Sequence, residues 1–484
     1  MNLYSKEENK GTFKIHITNN KLKKELVDNI FGHRHFENLF LLILKECSDD
    51  FKLLSDYGIM RAVLRDTKGG KKEDGVKFIK DKYKEYDKLN ELINLSLPLK
   101  VHNLSAIIKR VKGSYKSFFT KIKKGDVKAR PPKAKKLKTV SRYSIPLDIN
   151  SWSVKKENKI GINLSSKMFY IPFKHEFLNK ITNGLENIQN ISIVYSNGSI
   201  YLNVLYNKEE HRVFVQEEEK LAAIDLGIIN LCGLFIDDKD SRSLILKGSN
   251  YIGYNARFNR QVAKIQKSIS KEVSEWTYNP ITKKKYPKEY TKRGRELKKF
   301  VSFLYEKRNR FFVNEFHKLS KRITEYLESK GVTTLVISKN LSKLKNNGMI
   351  KMRKVASQKF VQIPIIRLLD YIITKCHSRG IVVGSIDEAY TSKCSCITDD
   401  VNNPRDTELN GVRPKRGLFT DKLLNKIWNA DLNGAVNHIR KYISRDFKWL
   451  LNHFHKLCNP IVMKCDYDFI KYNLVNSVSN KVST

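Results

Sequence analysis

Short, almost continuously apolar segments in the second half of the chain constrain its fold most strongly. Leu221–Leu226, Leu335–Ser338 and Ile381–Ile386 each have the length of a strand. Segments with helical patterns separate them, over about residues 292–330 and 363–378. Strands of this kind are buried on both faces and belong to parallel or mixed sheets that are covered by helices. The sequence therefore predicts an α/β domain from residue 219 onward.

Other parts of the chain predict different structures. Residues 31–125 have apolar residues at helical spacing and predict a helical region. Residues 140–215 alternate in polarity around a Ser-Asn-Gly-Ser turn at 196–199, which predicts a small antiparallel β-domain or barrel. The Lys-, Tyr- and Pro-rich stretch Tyr278–Tyr290 predicts a loop, and the segment after residue 445 predicts a packed helix.

The balance of charges indicates the class of partner. The 484 residues include 92 Lys and Arg against 50 Asp and Glu, a formal net charge of +42. Such a charge favours a polyanion, because Lys and Arg neutralise phosphates and release condensed counterions. The basic residues recur along nearly the whole chain, which favours nucleic acid over an anionic membrane surface.

Cysteine content and hydropathy indicate the compartment. Seven cysteines give no disulfide framework. The longest apolar run, Leu39–Leu44, is far shorter than a membrane span, and the first residues contain no apolar signal-peptide core. We expect a soluble intracellular protein, in a bacterial nucleoid or cytoplasm, a eukaryotic nucleus or a viral factory.

Aromatic and basic residues are interleaved between residues 115 and 136. The combination suits base stacking together with phosphate contacts. An amphipathic helix with a solvated lysine face explains the same pattern. The candidate nucleic-acid-binding residues here are Tyr115, Lys116, Phe118, Phe119, Lys121, Lys123, Lys124, Arg130, Lys133, Lys135 and Lys136.

Three acidic residues are candidate ligands of divalent ions. Asp225 ends an apolar strand, Glu388 follows another, and Asp431 begins a helix rich in small residues. Carboxylates that converge on two ions are what two-metal phosphodiester cleavage requires, and Mg²⁺ prefers hard oxygen ligands. Each residue also has a structural interpretation. Asp225 could cap a turn, Asp431 could cap a helix and Glu388 could be a solvated loop acid.

Taken together, these segments resemble a known family. Residues 223–227, Ala-Ile-Asp-Leu-Gly, resemble the first RuvC motif of the transposon-encoded TnpB (OrfB) proteins, their Fanzor relatives and the type V CRISPR effectors. Residues 429–437 resemble the third motif, and residues 390–395 resemble the entry to an inserted zinc-ribbon module. Residues 415–419 resemble the segment before the third motif.

One departure concerns the second catalytic acid. Most TnpB proteins have a Glu just after the strand that here is Leu335–Ser338, and this chain has Lys339 there. Either the nuclease is dead, or the Glu comes from elsewhere. One TnpB branch and the Fanzor proteins supply it just before a Tyr-Thr-Ser-Lys-Cys segment, a position that Glu388 matches. The resemblance then implies that Asp225, Glu388 and Asp431 are catalytic and hold two Mg²⁺ ions.

The resemblance also implies a domain organisation. It consists of an RNase H-like (RuvC) nuclease domain, a helical recognition domain, a small β-barrel-like wedge domain and a zinc-ribbon-like insertion. The implied boundaries are 1–30 and 140–218 for the wedge, 31–139 for recognition, 219–393 and 429–444 for RuvC, 394–428 for a degenerate insertion that binds target nucleic acid, and 445–484 for a helical tail.

The insertion is short of zinc ligands. A structural zinc site usually has four, often as two Cys-x-x-Cys pairs. Cys394 and Cys396 are the candidates, and no second pair appears before Asp431. We expect the insertion to fold without zinc.

The function implied is that of an RNA-guided DNA endonuclease. It would bind a guide RNA and cleave complementary double-stranded DNA beside a short adjacent motif. Two alternatives from other classes stay open: a nuclease-dead RNA-guided repressor, and a transposon-associated DNA-binding protein without a guide. Further candidate nucleic-acid contacts are Lys339, Lys393, Lys415 and Arg416.

Overall fold

The structure, a computed structural model, divides into two compact units, Glu7–Glu209 and Glu210–Thr484 with Met1–Lys6. Helices and sheets occur in both, so the fold is mixed α/β. Among the residues that the structure describes, no helix has the length and apolar character of a membrane span. The described residues are 10–127, 129–134, 142–155, 158–173, 187–196, 198–207, 219–279, 284–338, 363–404, 408–415 and 417–465.

Helices build most of the first unit up to residue 123. Asn19 and Asp56 cap α1 and α3 by accepting hydrogen bonds from backbone N–H groups of the first turn. The apolar faces meet in one core that includes Phe36, Phe40 and Ile107. The helices are α1 (Asn20–Glu46), α2 (Phe51–Leu54), α3 (Tyr57–Leu64), α4 (Glu73–Lys82), α5 (Asp87–Ser96) and α6 (Val101–Lys123).

Antiparallel strands form the remainder of the first unit. Their order is β1-β7-β6-β2 in one sheet and β3-β4-β5 in another, over a shared core. The described strands therefore form two separate sheets and do not close into the predicted barrel. The strands are β1 (Lys10–His16), β2 (Arg142–Leu147), β3 (Trp152–Lys155), β4 (Lys159–Asn163), β5 (Met168–Pro172), β6 (Ile188–Ser196) and β7 (Ser199–Asn207).

A six-stranded mixed sheet is the centre of the second unit. Its strands are β8 (Leu221–Asp225), β9 (Asn230–Ile236), β10 (Leu244–Lys247), β13 (Thr334–Ser338), β14 (Val382–Ile386) and β18 (Ile461–Lys464). A separate antiparallel sheet consists of β15 (Gly411–Val412), β16 (Leu418–Asp421) and β17 (Lys426–Asn429). The order in the six-stranded sheet is β14-β13-β8-β9-β10-β18, with β14, β13 and β8 mutually parallel and β9 antiparallel to β8. The predicted α/β architecture is confirmed.

Helices cover both faces of this sheet. Alternate residues of β8 enter different cores: Ala222 and Ile224 enter one with Phe316, and Ala223 enters the other with Val436. This alternation explains why the strand is apolar throughout. The helices are α7 (Ser249–Lys271), α8 (Lys292–Ser329), α9 (Ile365–His377), α10 (Ala430–Ile443) and α11 (His455–Cys458).

Two segments differ from their predictions. The expected loop at 278–290 contributes to a two-stranded hairpin of β11 (Val273–Asn279) and β12 (Lys284–Tyr290). Within the described residues 445–465, the expected helical tail contains a 3₁₀ helix at Lys448–Leu451, the short α11 and the strand β18, which pairs with β10. Neither segment has a clear periodic pattern of apolar residues. Their structure therefore depends on the strands with which they pair.

Candidate active site

Parallel pairing brings two of the three acidic residues to one edge of the sheet. Ala223 is opposite Val336, so Asp225 and Ser338 occupy matching positions at the ends of β8 and β13. Ser338 is in turn opposite Ile386, two residues before Glu388. The Ser338 hydroxyl donates a hydrogen bond to Glu388 Oε2. Glu388 therefore turns back over the strand ends toward Asp225, where α/β proteins commonly bind ligands.

Helix α10 contributes the third acidic residue. The cap of this helix is Asn429, whose Oδ1 accepts hydrogen bonds from the backbone N–H groups of Asp431 and Leu432 at 2.9 and 3.2 Å. The structural interpretation of Asp431 as the cap is thus wrong. Asp431 Oδ2 instead accepts a hydrogen bond from Asn230 Nδ2 at 2.5 Å, which orients its carboxylate.

Two glycines let α10 approach the sheet closely. A Cβ atom at Gly233 would lie 3.1 Å from Asp431 Cβ, and a Cβ atom at Gly434 would lie 2.7 Å from Asp225 Oδ2. Any side chain at either position would therefore displace one of the two aspartates. The small residues of the helix are the reason that these carboxylates can share one site.

The substitution Gly434→Ala should lower the activity while it leaves the stability of the fold nearly unchanged. The added methyl group would push the Asp225 carboxylate away without breaking the helix, because Ala is the better helix former. We expect at least a tenfold loss of the cleavage activity that the family resemblance implies, since small displacements of reacting groups cost up to about 10²-fold. The unfolding temperature should change little. Ala435→Gly, which removes a methyl group from the next residue, is the matched control and should destabilise the helix while retaining more of the activity.

The surroundings of Asp225 disfavour the ionised form of its carboxyl group. Burial, and then the charges of Asp431 and Glu388, raise the pKa of Asp225 to about 7, and Arg413 only partly offsets them. A buried carboxylate beside two others is costly unless a cation accompanies it. The hard oxygen donors of these side chains suit Mg²⁺.

The three carboxylates do not converge on a single point. Among the described residues, no set of three or more His, Cys, Asp and Glu side chains is placed to hold one ion.

Asp387, the neighbour of Glu388, has a different environment. Its side chain is exposed, and its Oδ1 accepts a hydrogen bond from the backbone N–H of Ala389 at 2.9 Å. Glu388 is half-buried and bonded to Ser338. Of the two adjacent acids, Glu388 is the one that acts on Asp225.

An open cavity of about 700 Å³ adjoins the Asp431 carboxylate. Asp431 and Asn230 lie on one side of it, and Arg413 and Lys415 line it from the insertion. A phosphate in this cavity would therefore meet the Asp431 carboxylate, which could hold a cation, and two basic side chains.

Side-chain hydrogen bonds attach the insertion to α10. Asn433 accepts a hydrogen bond from the backbone N–H of Cys396 at 3.0 Å and donates one to Cys394 O at 2.8 Å. Asp399 accepts hydrogen bonds from the backbone N–H groups of Ser395 and Gly411 at 2.7 and 3.1 Å. Burial raises the pKa of the Cys396 thiol to about 12.

The basic-aromatic segment is only partly available to nucleic acid. Tyr115 is buried in the helical core, where its ring lies 5.0 Å from that of Phe51, so its prediction as a stacking residue is wrong. Helical periodicity turns one face of α6 inward, and the alternative of an amphipathic helix holds for this residue. Phe118 is half-buried, and Phe119 is exposed. The described basic residues of the set are exposed: Lys116, Lys121, Lys123, Lys124, Arg130 and Lys133.

The remaining predicted nucleic-acid contacts either are exposed side chains or lie outside the described residues. Lys393 and Lys415 are exposed, and Lys393 Nζ lies 5.6 Å from the ring centroid of Tyr390. Lys135, Lys136, Lys339 and Arg416 lie outside the described residues.

Sequence reasoning missed three residues of the site: Asn230, Ser338 and Arg413. Asn230 follows Asp225 by five residues across the tight β8–β9 return, which is a signal that could have been used. The sequence identifies Ser338 only as the last residue of an apolar strand. Arg413 carries no local signal, because its place depends on how the insertion folds.

Two family models match parts of the chain. Residues 203–344 match OrfB_IS605, described as a probable transposase. Residues 367–438 match the Cas12f1-like TNB domain. These matches confirm the resemblance to TnpB-like proteins that the motifs indicate. Among curated proteins, none matches the chain.

Solved structures of low similarity include two CRISPR complexes seen by cryo-EM. A Cas12f1–sgRNA–target DNA complex is 16% identical over 90% of this chain and 100% of that chain, with a TM-score of 0.32. A CRISPR-Cas12f ternary complex is 14% identical over 87% and 85%, also with a TM-score of 0.32. The crystal structure of an AacC2c1–sgRNA binary complex is 11% identical over 88% and 71%, with a TM-score of 0.31.

Proposed function

We propose that this TnpB-like chain is an RNA-guided DNA endonuclease with a RuvC-like active site. The observation that carries the proposal is the half-buried Asp225 carboxylate, which lies at the end of a parallel strand beside Asp431 and within electrostatic reach of Glu388. Structural acids are normally paired with a base or bonded to backbone donors, whereas this group is surrounded by further acids. Divalent cations would relieve that repulsion.

Asp225, Glu388 and Asp431 would hold two Mg²⁺ ions. When bound, such ions supply an activated water and stabilise the departing 3′ oxygen of a phosphodiester. The residues of the chain position the ligands. Asn230 orients Asp431, and Ser338 orients Glu388.

The basic side chains that line the cavity would bind the substrate. Arg413 and Lys415 would contact phosphates next to the scissile bond. The net charge of +42 supports a protein that holds a guide RNA and a heteroduplex through their backbones, while base pairing selects the target.

The finer domain assignments are part of the same proposal. The helical region would be the recognition domain and the first-unit sheets the wedge. Residues 394–428 would be a target-binding insertion that folds without zinc. The hydrogen bonds of Asn433 support this last assignment, because they connect the insertion to α10, and those of Asp399 join two segments of the insertion without a metal.

The test is programmed cleavage. The chain is co-expressed with the flanking DNA of its own locus, and the RNA that purifies with it is sequenced. The guide portion is then replaced, and a plasmid library with a randomised sequence beside the matching target is incubated with Mg²⁺. We expect cuts only in plasmids that match the guide, and none in EDTA. Guide-dependent DNA binding without cuts would support the nuclease-dead repressor. Binding without any defined RNA would support the unguided DNA-binding protein.

A further inference from the structure

The β11–β12 hairpin exposes large aromatic side chains that the proposed active site does not use. Trp276 is 52% exposed, Tyr278 is 57% exposed and Tyr286 is 42% exposed. The described side chains from Glu275 to Tyr278 and from Lys285 to Glu289 are all exposed, so neither face of the hairpin packs on a core. A two-stranded hairpin is marginally stable in water by itself, and exposed rings add no stability.

The base of the hairpin is nevertheless fixed. Thr291 donates its backbone N–H to Glu272 O at 3.0 Å, and Arg295 Nη1 donates to Tyr290 O at 2.8 Å. Gly294 is so close to the end of α7 that a Cβ atom there would lie 2.9 Å from Glu272 O. The hairpin is thus held firmly where it leaves α7 and enters α8, and its exposed rings are presented on an ordered support.

The pairing register gives one face a composition suited to nucleobases. Trp276 is opposite Pro287 and Tyr278 is opposite Lys285, so all four side chains share one face. Residues two apart on a strand are separated by roughly 6.8 Å, about twice the ~3.4 Å stacking distance of bases. A base could therefore lie between the two rings, with Lys285 beside its phosphate.

The charge around the hairpin selects the partner. Residues 273–299 contain nine Lys and Arg against three Glu, a net charge of +6. A second copy of the same surface would be repelled, whereas a polyanion would be attracted. Exposed rings that alternate with cations are the combination that single-stranded nucleic acids use.

We propose that Trp276 and Tyr278 form a stacking platform for single-stranded nucleic acid. The inference goes beyond the proposed cleavage in that it requires neither ions nor a matching guide. Its failure can therefore be distinguished from failure of the nuclease proposal. Either a DNA strand or an RNA strand has the required bases and phosphates.

The test measures binding of fluorescein-labelled dT20 and U20 to the full chain in EDTA, over a series of salt concentrations. The double substitution W276A/Y278A should weaken binding at least tenfold, because each stacked ring contributes several-fold or more. The slope of log Kd against log salt should not change, since no charge is removed. If the double substitution weakens binding of dT20 more than that of U20, the platform binds a DNA strand, and the reverse result identifies an RNA strand.

Three matched variants make the result specific. W276F/Y278F keeps two rings and should restore binding to within about threefold. Lys285→Ala should reduce the salt slope by roughly 0.7, as expected for one lost phosphate contact. Tyr170→Ala removes a ring that is 50% exposed on β5 and should leave Kd unchanged. Equal losses in Y170A and W276A/Y278A would overturn the proposal, as would an unchanged Kd or a change of oligomeric state in the double variant.

Discussion

The substitution Glu388→Gln should abolish guide-dependent DNA cleavage. Gln can still accept the hydrogen bond from Ser338, so the local fold is kept and only the charge and the ion ligand are lost. Charge stabilisation by bound ions contributes several kcal/mol to such reactions, and about 4 kcal/mol corresponds to roughly 10³-fold. We expect a decrease of at least that size in a single-turnover cleavage assay, with the affinity for target DNA changed little.

The neighbouring acid provides the matched control. Asp387→Asn removes one negative charge one residue away, from an exposed side chain bonded to the backbone of Ala389. Its cleavage rate should stay within about threefold of the wild type, as for most exposed substitutions. If D387N were inactive and E388Q active, the assignment of the relocated carboxylate would be wrong.

The substitution Asp225→Asn should have opposite effects on activity and stability. Cleavage should fall by at least about 10³-fold, because the shared ion ligand is lost. In EDTA at pH 8 the variant should be more stable than the wild type. Removing the ionised carboxylate relieves both its burial and its repulsion by Asp431 and Glu388. Such trade-offs are common where activity requires a destabilised site.

The direction of the pH dependence follows from the pKa. Folding raises the pKa of Asp225 from 3.8 to about 7, so the folded chain binds more protons than the unfolded chain between these values. The contribution of this group to stability is therefore present at low pH and is lost as the pH rises through about 7. The gap corresponds to about 4 kcal/mol, and the partial exposure of the side chain to solvent reduces this value.

Thermal unfolding with and without Mg²⁺ measures this effect. In EDTA the melting temperature of D225N should exceed that of the wild type by ~5 °C at pH 8, and the difference should shrink toward pH 4. Mg²⁺ should raise the melting temperature of the wild type more than that of the variant. A variant that melts below the wild type at pH 8 would show that Asp225 is a stabilising structural acid.

Much of the site could be predicted from the sequence, because its main parts depend on local pattern. An apolar strand that ends in Asp225 and a helix of small residues that begins near Asp431 both have short-range signals. Parallel pairing then brings strand ends together by general rules of topology. Glu388 came from the family resemblance, since spacing alone favoured a solvated loop acid.

The remaining features depend on contacts between distant segments. The position of Arg413 depends on the fold of the insertion, and that of Tyr115 depends on which face of α6 meets the helical core. The hairpin at Val273–Tyr290 has a Lys- and Pro-rich second strand that locally resembles a loop, and pairing with β11 makes it a strand. The composition of this segment indicates its positive charge, but it does not indicate that its aromatic rings are exposed together.

The most direct test of the account is to locate the divalent ions. The guide-bound chain, with a non-cleavable target strand and Mn²⁺ in place of Mg²⁺, is crystallised for anomalous scattering. The account predicts two Mn²⁺ peaks roughly 3.5–4 Å apart, with Asp225 between them and with Glu388 and Asp431 as further ligands. Peaks that lack Glu388 as a ligand, or no peak beside Asp225, would contradict it.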